Sequence, residues 1–410
     1  MASTRHGKRE NVRLGTVRVS VVILLGLLAL WLSVALTVSL VLGRHQSEYA
    51  LRLWPTGAEA LARRSAELLV KQDNVAAAKT LAVTAITKEP ANAAAARDLG
   101  LVYSFQGKGK QAKAAFAYAE SMSRRDLPTQ MWLIESRVQA EDVPGTLVHY
   151  DRAMRSSLES RKTLLPILVS ATQDPSVADK LIKVLLARPN WRSEFIDALV
   201  GQSQSADAMG RILSALKLDP VDPIQARQLG IGLRHMVDLG AIPRAYSLYR
   251  QVRKYSTLNA PLLRGGDFET AGVLAPFEWQ LTDGTDRQGV REPREGAQGQ
   301  FALSLYGDSA GEIARQLMVL SPGTYRISGR AGGVSTDAAR PTIAVICAKD
   351  AVVAANIALP AGNRSGFEGT FKIPANCPAQ WMFVSIAGSL DRQSEAPWID
   401  ALQVQAVSVR

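Results

Sequence analysis

Histidine is scarce in this chain, four in 410 residues: His6, His45, His149 and His235. None stands in a metal-binding pair or beside a GxSxG-type nucleophile, which removes the commonest histidine-based hydrolase and zinc arrangements. Phosphate-binding glycine loops are missing too. Neither a GxxxxGKS/T string nor a strand-linked GxGxxG occurs, so nothing supports nucleotide use. Cysteine is limited to Cys347 and Cys377, which form no CxxC pair, so zinc-ribbon and dithiol redox chemistry are poor readings. Nucleic-acid motifs are absent. A glycosidase needs two carboxylates about 5 to 10 Å apart across a cleft, and the sequence places no such pair.

What is present begins with an uncharged run at residues 19–43. At about 1.5 Å per residue, such a helix exceeds the roughly 30 Å hydrocarbon core of a bilayer. A transmembrane helix is therefore expected there, rather than a cleaved signal peptide, whose apolar region is shorter and ends at a small-x-small site. Arg5, Lys8, Arg9, Arg13 and Arg18 precede it against Glu10 alone. Residues 1–18 are thus expected to be a basic cytoplasmic tail. The rest is expected to be periplasmic, on a single-pass inner-membrane anchor.

The formal net charge of +11 is unevenly spread: +4 over residues 1–18, +9 over 19–262 and −2 over 263–410. A basic middle could meet acidic peptides, anionic glycans or lipid head groups, or could be an ordinary solvated surface. The two cysteines share the negative C-terminal third. In an oxidising compartment they are expected to form one disulfide, the alternative being two buried thiols.

A 34-residue ruler reveals an internal repeat. Its best copy covers residues 93–126, with Leu99, Gly100 and Tyr103 on a first helix and Ala112, Phe116 and Ala119 on a second. One period upstream, Ala78, Ala82 and Ala85 lead to Pro90; downstream, Leu133, Tyr150 and Ala153 form a weaker copy. Small residues let paired helices approach, and the rings fill the gaps between hairpins. Each hairpin leaves an apolar face that only its neighbour covers, so repeats stack into a solenoid. The pattern resembles the tetratricopeptide repeat, which implies that residues 44–262 form a TPR-like scaffold holding a protein partner.

Beyond Pro261 the chain changes to short alternating runs separated by Gly, Pro, Asn and Asp. Six or more such strands, among them 301–306, 324–328, 342–347 and 398–409, predict an antiparallel β-sandwich over residues 263–410. The opening string Gly265-Gly266-Asp267-Phe268-Glu269 and the closing Trp398-Ile399-Asp400 resemble galactose-binding-like carbohydrate-binding modules with a jelly-roll fold. That resemblance implies a structural calcium held by Asp267, Glu269 and Asp400, since carboxylates suit a hard cation. It also implies a sugar site. Sugar binding needs aromatic faces, and the available rings are Trp279, Trp381, Trp398, Tyr306 and Tyr325, of which at least three are expected in the core. Trp279, Tyr306 and Trp398 are the expected carbohydrate contacts.

The parts together predict a non-catalytic envelope scaffold, its repeats recruiting a protein and its sandwich a glycan, in surface polysaccharide assembly or export. The alternative is a glycan-processing enzyme with an accessory carbohydrate-binding module.

Overall fold

The structure is a computed structural model that describes residues 25–31, 33–34, 37, 47–71, 74–256, 261–334, 340–362, 364–387 and 396–407. Most of the run at 19–43 lies outside these residues. Among the described residues, no helix is long and apolar enough to cross a membrane. This overturns the expected transmembrane helix, and with it the single-pass anchor and the periplasmic placement that rested on it.

The chain divides into two compact units, Met1–Arg161 and Lys162–Arg410. The first contains helices α1 (Ser47–Leu53), α2 (Ala58–Lys71), α3 (Val75–Lys88), α4 (Ala93–Phe105), α5 (Gly109–Met122), α6 (Leu127–Gln139) and α7 (Val143–Ser156). Helices α2 and α3, α4 and α5, and α6 and α7 pair as antiparallel hairpins. Their starts are written in the sequence. Asn74, Asn92, Asp126 and Asp142 each accept an N–H from the residue three further on, satisfying one otherwise orphaned helical donor. Pro128 and Pro144 occupy first-turn positions where no N–H is needed.

The repeat residues form the core of this unit. Ala78, Ala82, Ala85, Ala112, Phe116 and Ala119 are fully buried. A Cβ at Gly100 would lie 2.8 Å from the Phe116 ring, so glycine there sets how closely α4 and α5 approach. Phe116 also stacks on Trp132 of the next hairpin, with ring centroids 4.1 Å apart. Each such ring contributes about 1.5–3 kcal/mol by leaving water.

Helix α8 (Leu158–Ala171) straddles the division between units. The second unit continues with α9 (Pro175–Leu186), α10 (Arg192–Gln202), α11 (Ala206–Leu216), α12 (Pro223–Asp238) and α13 (Ile242–Arg253). Here α9 packs on α11, α10 on α12, and α11 and α12 on α13, so the helical stacking continues where the repeat register is illegible in the sequence.

The β region forms two five-stranded antiparallel sheets. One has the order β1 (Gln280–Leu281), β4 (Gly311–Met318), β9 (Gln380–Ile386), β6 (Thr342–Cys347), β7 (Val353–Ala358). The other runs β2 (Arg287–Glu292), β3 (Ala302–Gly307), β10 (Trp398–Ala406), β5 (Gly323–Gly332), β8 (Ser365–Ile373). Ile343, Val345, Met382 and Val384 from the first sheet meet Leu303, Leu305, Ile327 and Val404 from the second in one core. Cys347 and Cys377 are joined by a disulfide inside that core, with Cα atoms 5.4 Å apart.

Candidate functional site

The opening string and the last strand lie side by side. Leu402 N–H donates to Gly266 O at 2.8 Å, and a Cβ at Gly266 would fall 1.9 Å from Leu402 O, so only glycine fits. A bulge in β10 between Asp400 and Gln403, with Ala401 at φ 50°, frees that Leu402 N–H from the strand ladder.

The expected calcium ligands Asp267, Glu269 and Asp400 each have a backbone partner. Among the described residues, no group of three or more His, Cys, Asp or Glu could hold a metal ion. Four of the six oxygens accept backbone N–H donors. Glu269 Oε1 accepts from Phe301 N–H at 3.1 Å, Asp400 Oδ2 from Gln298 N–H at 2.5 Å and Asp400 Oδ1 from Ala401 N–H at 2.6 Å. The two carboxylates therefore pin the 298–301 loop from opposite ends of the domain's sequence. Asp267 Oδ1 only caps its own turn, accepting from Glu269 N–H at 3.4 Å.

The expected sugar-binding rings separate. Trp279 and Trp398 are 6% and 2% exposed, so neither offers a ring face; Trp279 packs on Phe268 at 5.5 Å. Tyr325 is also buried, stacked on Phe371, with its hydroxyl donating to Ser321 O at 2.7 Å. Tyr306 alone of the expected contacts reaches solvent, at 38% exposure. Its hydroxyl donates to Glu292 at 2.6 Å and accepts from Arg294 Nη2 at 2.8 Å. Burial and the Glu292 carboxylate both raise the Tyr306 pKa, so it stays protonated.

A different aromatic pair forms a platform. On β9, Met382, Val384 and Ile386 enter the core, so the alternate residues Trp381, Phe383 and Ser385 face outward, half-buried. Trp381 and Phe383 stack with centroids 6.1 Å apart. Strand pairing sets Gln280, Arg315, Phe383, Ala344 and Asn356 in one row across all five strands. The Arg315 guanidinium lies 5.2 Å from the Trp381 ring centroid, held there by Gln280 Oε1 at 2.9 Å and Glu312 at 3.5 Å. The result is a two-ring floor flanked by an amide-guanidinium pair on one side and the exposed Asn356 on the other.

Sequence reasoning counted Trp381 among five available rings, at least three of them expected in the core, and did not name it as a carbohydrate contact. One signal separates the phases. Met382, Val384 and Ile386 are all aliphatic, whereas Trp381, Phe383 and Ser385 end in a polar residue, the mark of the face that meets water.

No family model and no curated relative matches the chain. Among solved structures, it is similar to the carbohydrate-binding module TmCBM61 in complex with beta-1,4-galactotriose, at 18% identity over 36% of this chain and 99% of that one, TM-score 0.28. A structure described as "CBM4 structure and function" aligns at 15% identity over 35% and 99%, TM-score 0.26. The Pseudomonas aeruginosa protein pilF aligns at 14% identity over 54% and 90%, TM-score 0.27. At these scores the likenesses carry no argument about this chain, and its own geometry has to serve.

Proposed function

We propose that the chain is a non-catalytic glycan-binding scaffold whose sugar contact is the outward face of the β1-β4-β9-β6-β7 sheet. The observation that carries this is the stacked Trp381–Phe383 pair, open to solvent and flanked by Arg315, Gln280 and Asn356. A pyranose ring presents an apolar face that lies on an aromatic floor, while its equatorial hydroxyls reach donors and acceptors at the rim. The helical hairpins are the partner-binding part, where Phe105 and Val138 are more than half exposed. A glycan face and a partner-binding solenoid in one chain suit polysaccharide assembly or export.

Affinity electrophoresis of the full chain through gels containing neutral polysaccharides tests this reading. At least one polysaccharide should retard the protein, Trp381→Ala should weaken that retardation about tenfold or more, and Tyr306→Phe should leave it unchanged. Retardation that survives Trp381→Ala, or a panel of β-glucans, galactans and xylans that retards nothing, would overturn it.

A further inference from the structure

A cavity of about 270 Å³ opens in the helical part of the second unit, at the first turns of α10 and α12. Asn190, Arg192 and Ile196 line its α10 side, and Leu218, Asp222 and Ile224 line the other. The two sides are held at a fixed spacing. Gln228 Nε2 on α12 donates to Ser193 O at 3.1 Å, and Arg227 Nη2 donates to Asp197 Oδ1 at 2.8 Å. The turn that carries Asp222 is fixed as well. Asp219 Oδ1 accepts from Val221 N–H at 2.9 Å, Gln225 Oε1 from Asp219 N–H at 3.0 Å, and Asp222 Oδ1 from Gln225 N–H at 2.9 Å.

The charged groups of this cavity do not answer each other. Arg192 is half-buried, and only its Nε is shut off from solvent; Nη1 and Nη2 remain accessible, and among the described residues no acceptor reaches them. Burial, and after it the nearby Arg188, lower the Arg192 pKa, and no carboxylate counters either effect. Asp222 is therefore not its counter-ion. With Oδ1 committed to Gln225 N–H, Asp222 keeps Oδ2 without a partner among the described residues. An aliphatic wall completes the cavity: Ile196 and Leu218 are buried, and Ile224 is 57% exposed. An accessible cation, an anion with an open oxygen and an aliphatic wall together complement a zwitterion that carries an apolar side chain.

We propose that this cavity binds a free α-amino acid with an aliphatic side chain. Its carboxylate takes the Nη1 and Nη2 donors of Arg192, its ammonium donates to Asp222 Oδ2, and its side chain lies on Ile196, Leu218 and Ile224. The two Nη groups share the terminal edge of the guanidinium, whose spacing matches carboxylate oxygens. The volume lies just below the usual range of ligand pockets, which suits a single residue rather than a peptide. A chain end also offers one of the two charges, whereas a free amino acid carries both on one carbon. The site is separate from the Trp381 face and stands or falls independently of it.

Isothermal titration and thermal shift of the full chain with leucine, glycine, N-acetylleucine and leucinamide test the proposal. Leucine should bind and raise the melting temperature, and glycine, which lacks the side chain, should bind about tenfold more weakly. N-acetylleucine has no ammonium and leucinamide no carboxylate, so each should lose about tenfold or more. Arg192→Gln should weaken leucine about tenfold to a hundredfold, to the level of leucinamide. Asp222→Asn retains a side chain that caps α12, so the fold is kept while leucine falls to the level of N-acetylleucine. Trp381→Ala should leave leucine binding unchanged. No binding of leucine at millimolar concentration, N-acetylleucine or leucinamide binding as tightly as leucine, or an Asp222→Asn protein that binds leucine like the wild type would overturn the assignment.

Discussion

The two units each bury a carboxylate beside an arginine, and they treat it in opposite ways. In the first, Asp98 on α4 is completely buried, and Arg97 binds its Oδ1 at 2.8 Å while also holding Asp126. Oδ2 has no partner. Burial therefore dominates, and against the pull of Arg97 it pushes the Asp98 pKa up to about 6. In the second, Glu278 is nearly as buried, and burial again pushes upward. There the fork from Arg253 and the N–H groups of Leu274 and Val273 outweigh it and hold the carboxyl below the usual glutamate range. The difference teaches that the number of donors satisfied by the charged form, not depth, sets the sign of the shift.

The largest effect should come from breaking the satisfied site. Glu278→Ala strands the Arg253 charge and two backbone N–H groups, and should destabilise the second unit by about 3–5 kcal/mol, read by urea unfolding followed through tryptophan fluorescence. An effect below about 1 kcal/mol would mean that the network is solvated in solution. Next comes the disulfide, which has no counterpart in the first unit because its sequence holds no cysteine. Replacing Cys347 and Cys377 by Ala should cost the second unit roughly 3 kcal/mol through a freer unfolded loop of 30 residues. The first unit's transition should not move with reductant, and a shift there would break the comparison.

The two carboxylates should also give opposite pH responses. Asp98 has a folded pKa above its unfolded value, so its contribution to stability is fully present below about pH 4 and is lost as pH rises through about 6. A shift of about two pH units corresponds to roughly 3 kcal/mol as an upper figure, and Asp98→Asn should remove that part of the pH dependence. Glu278, with a depressed folded pKa, contributes stability above about pH 4.5 and loses it as pH falls through the folded value. Melting curves from pH 3 to 7 would check both signs. Matching slopes in the two units would refute the donor-count argument. The smallest stability effect is expected for Trp381→Ala, whose half-exposed ring contributes about 1 kcal/mol or less, although it should abolish most glycan retention.

The helical hairpins could be read from Gly100, Ala112, Phe116 and Ala119 because a repeat is a local pattern: each residue meets partners within one or two periods. The caps at Asn92, Asp126 and Asp142 are equally local. The sandwich was legible for the same reason, since alternation within a strand declares that one phase is buried. The site was not. Which phase of β9 faces the other sheet depends on how ten strands from 127 residues of chain are ordered, and the fold buries Trp279 and Trp398 while turning Trp381 outward. The uncharged run at 19–43 misled differently: it meets a hydropathy criterion, yet no helix among the described residues is long and apolar enough to cross a membrane.

By itself, then, the sequence determined the helical repeats, the switch to strands after Pro261, and the pairing options of its only two cysteines, all set by short-range periodicity or by counting. Tertiary structure alone decided that Glu269 and Asp400 clamp a loop through its N–H groups and that Trp381 and Phe383 form the open face. Those outcomes depend on long-range neighbours, whose electrostatic and steric effects act through space; of them, only the outward phase of β9 leaves a local trace, the polar Ser385.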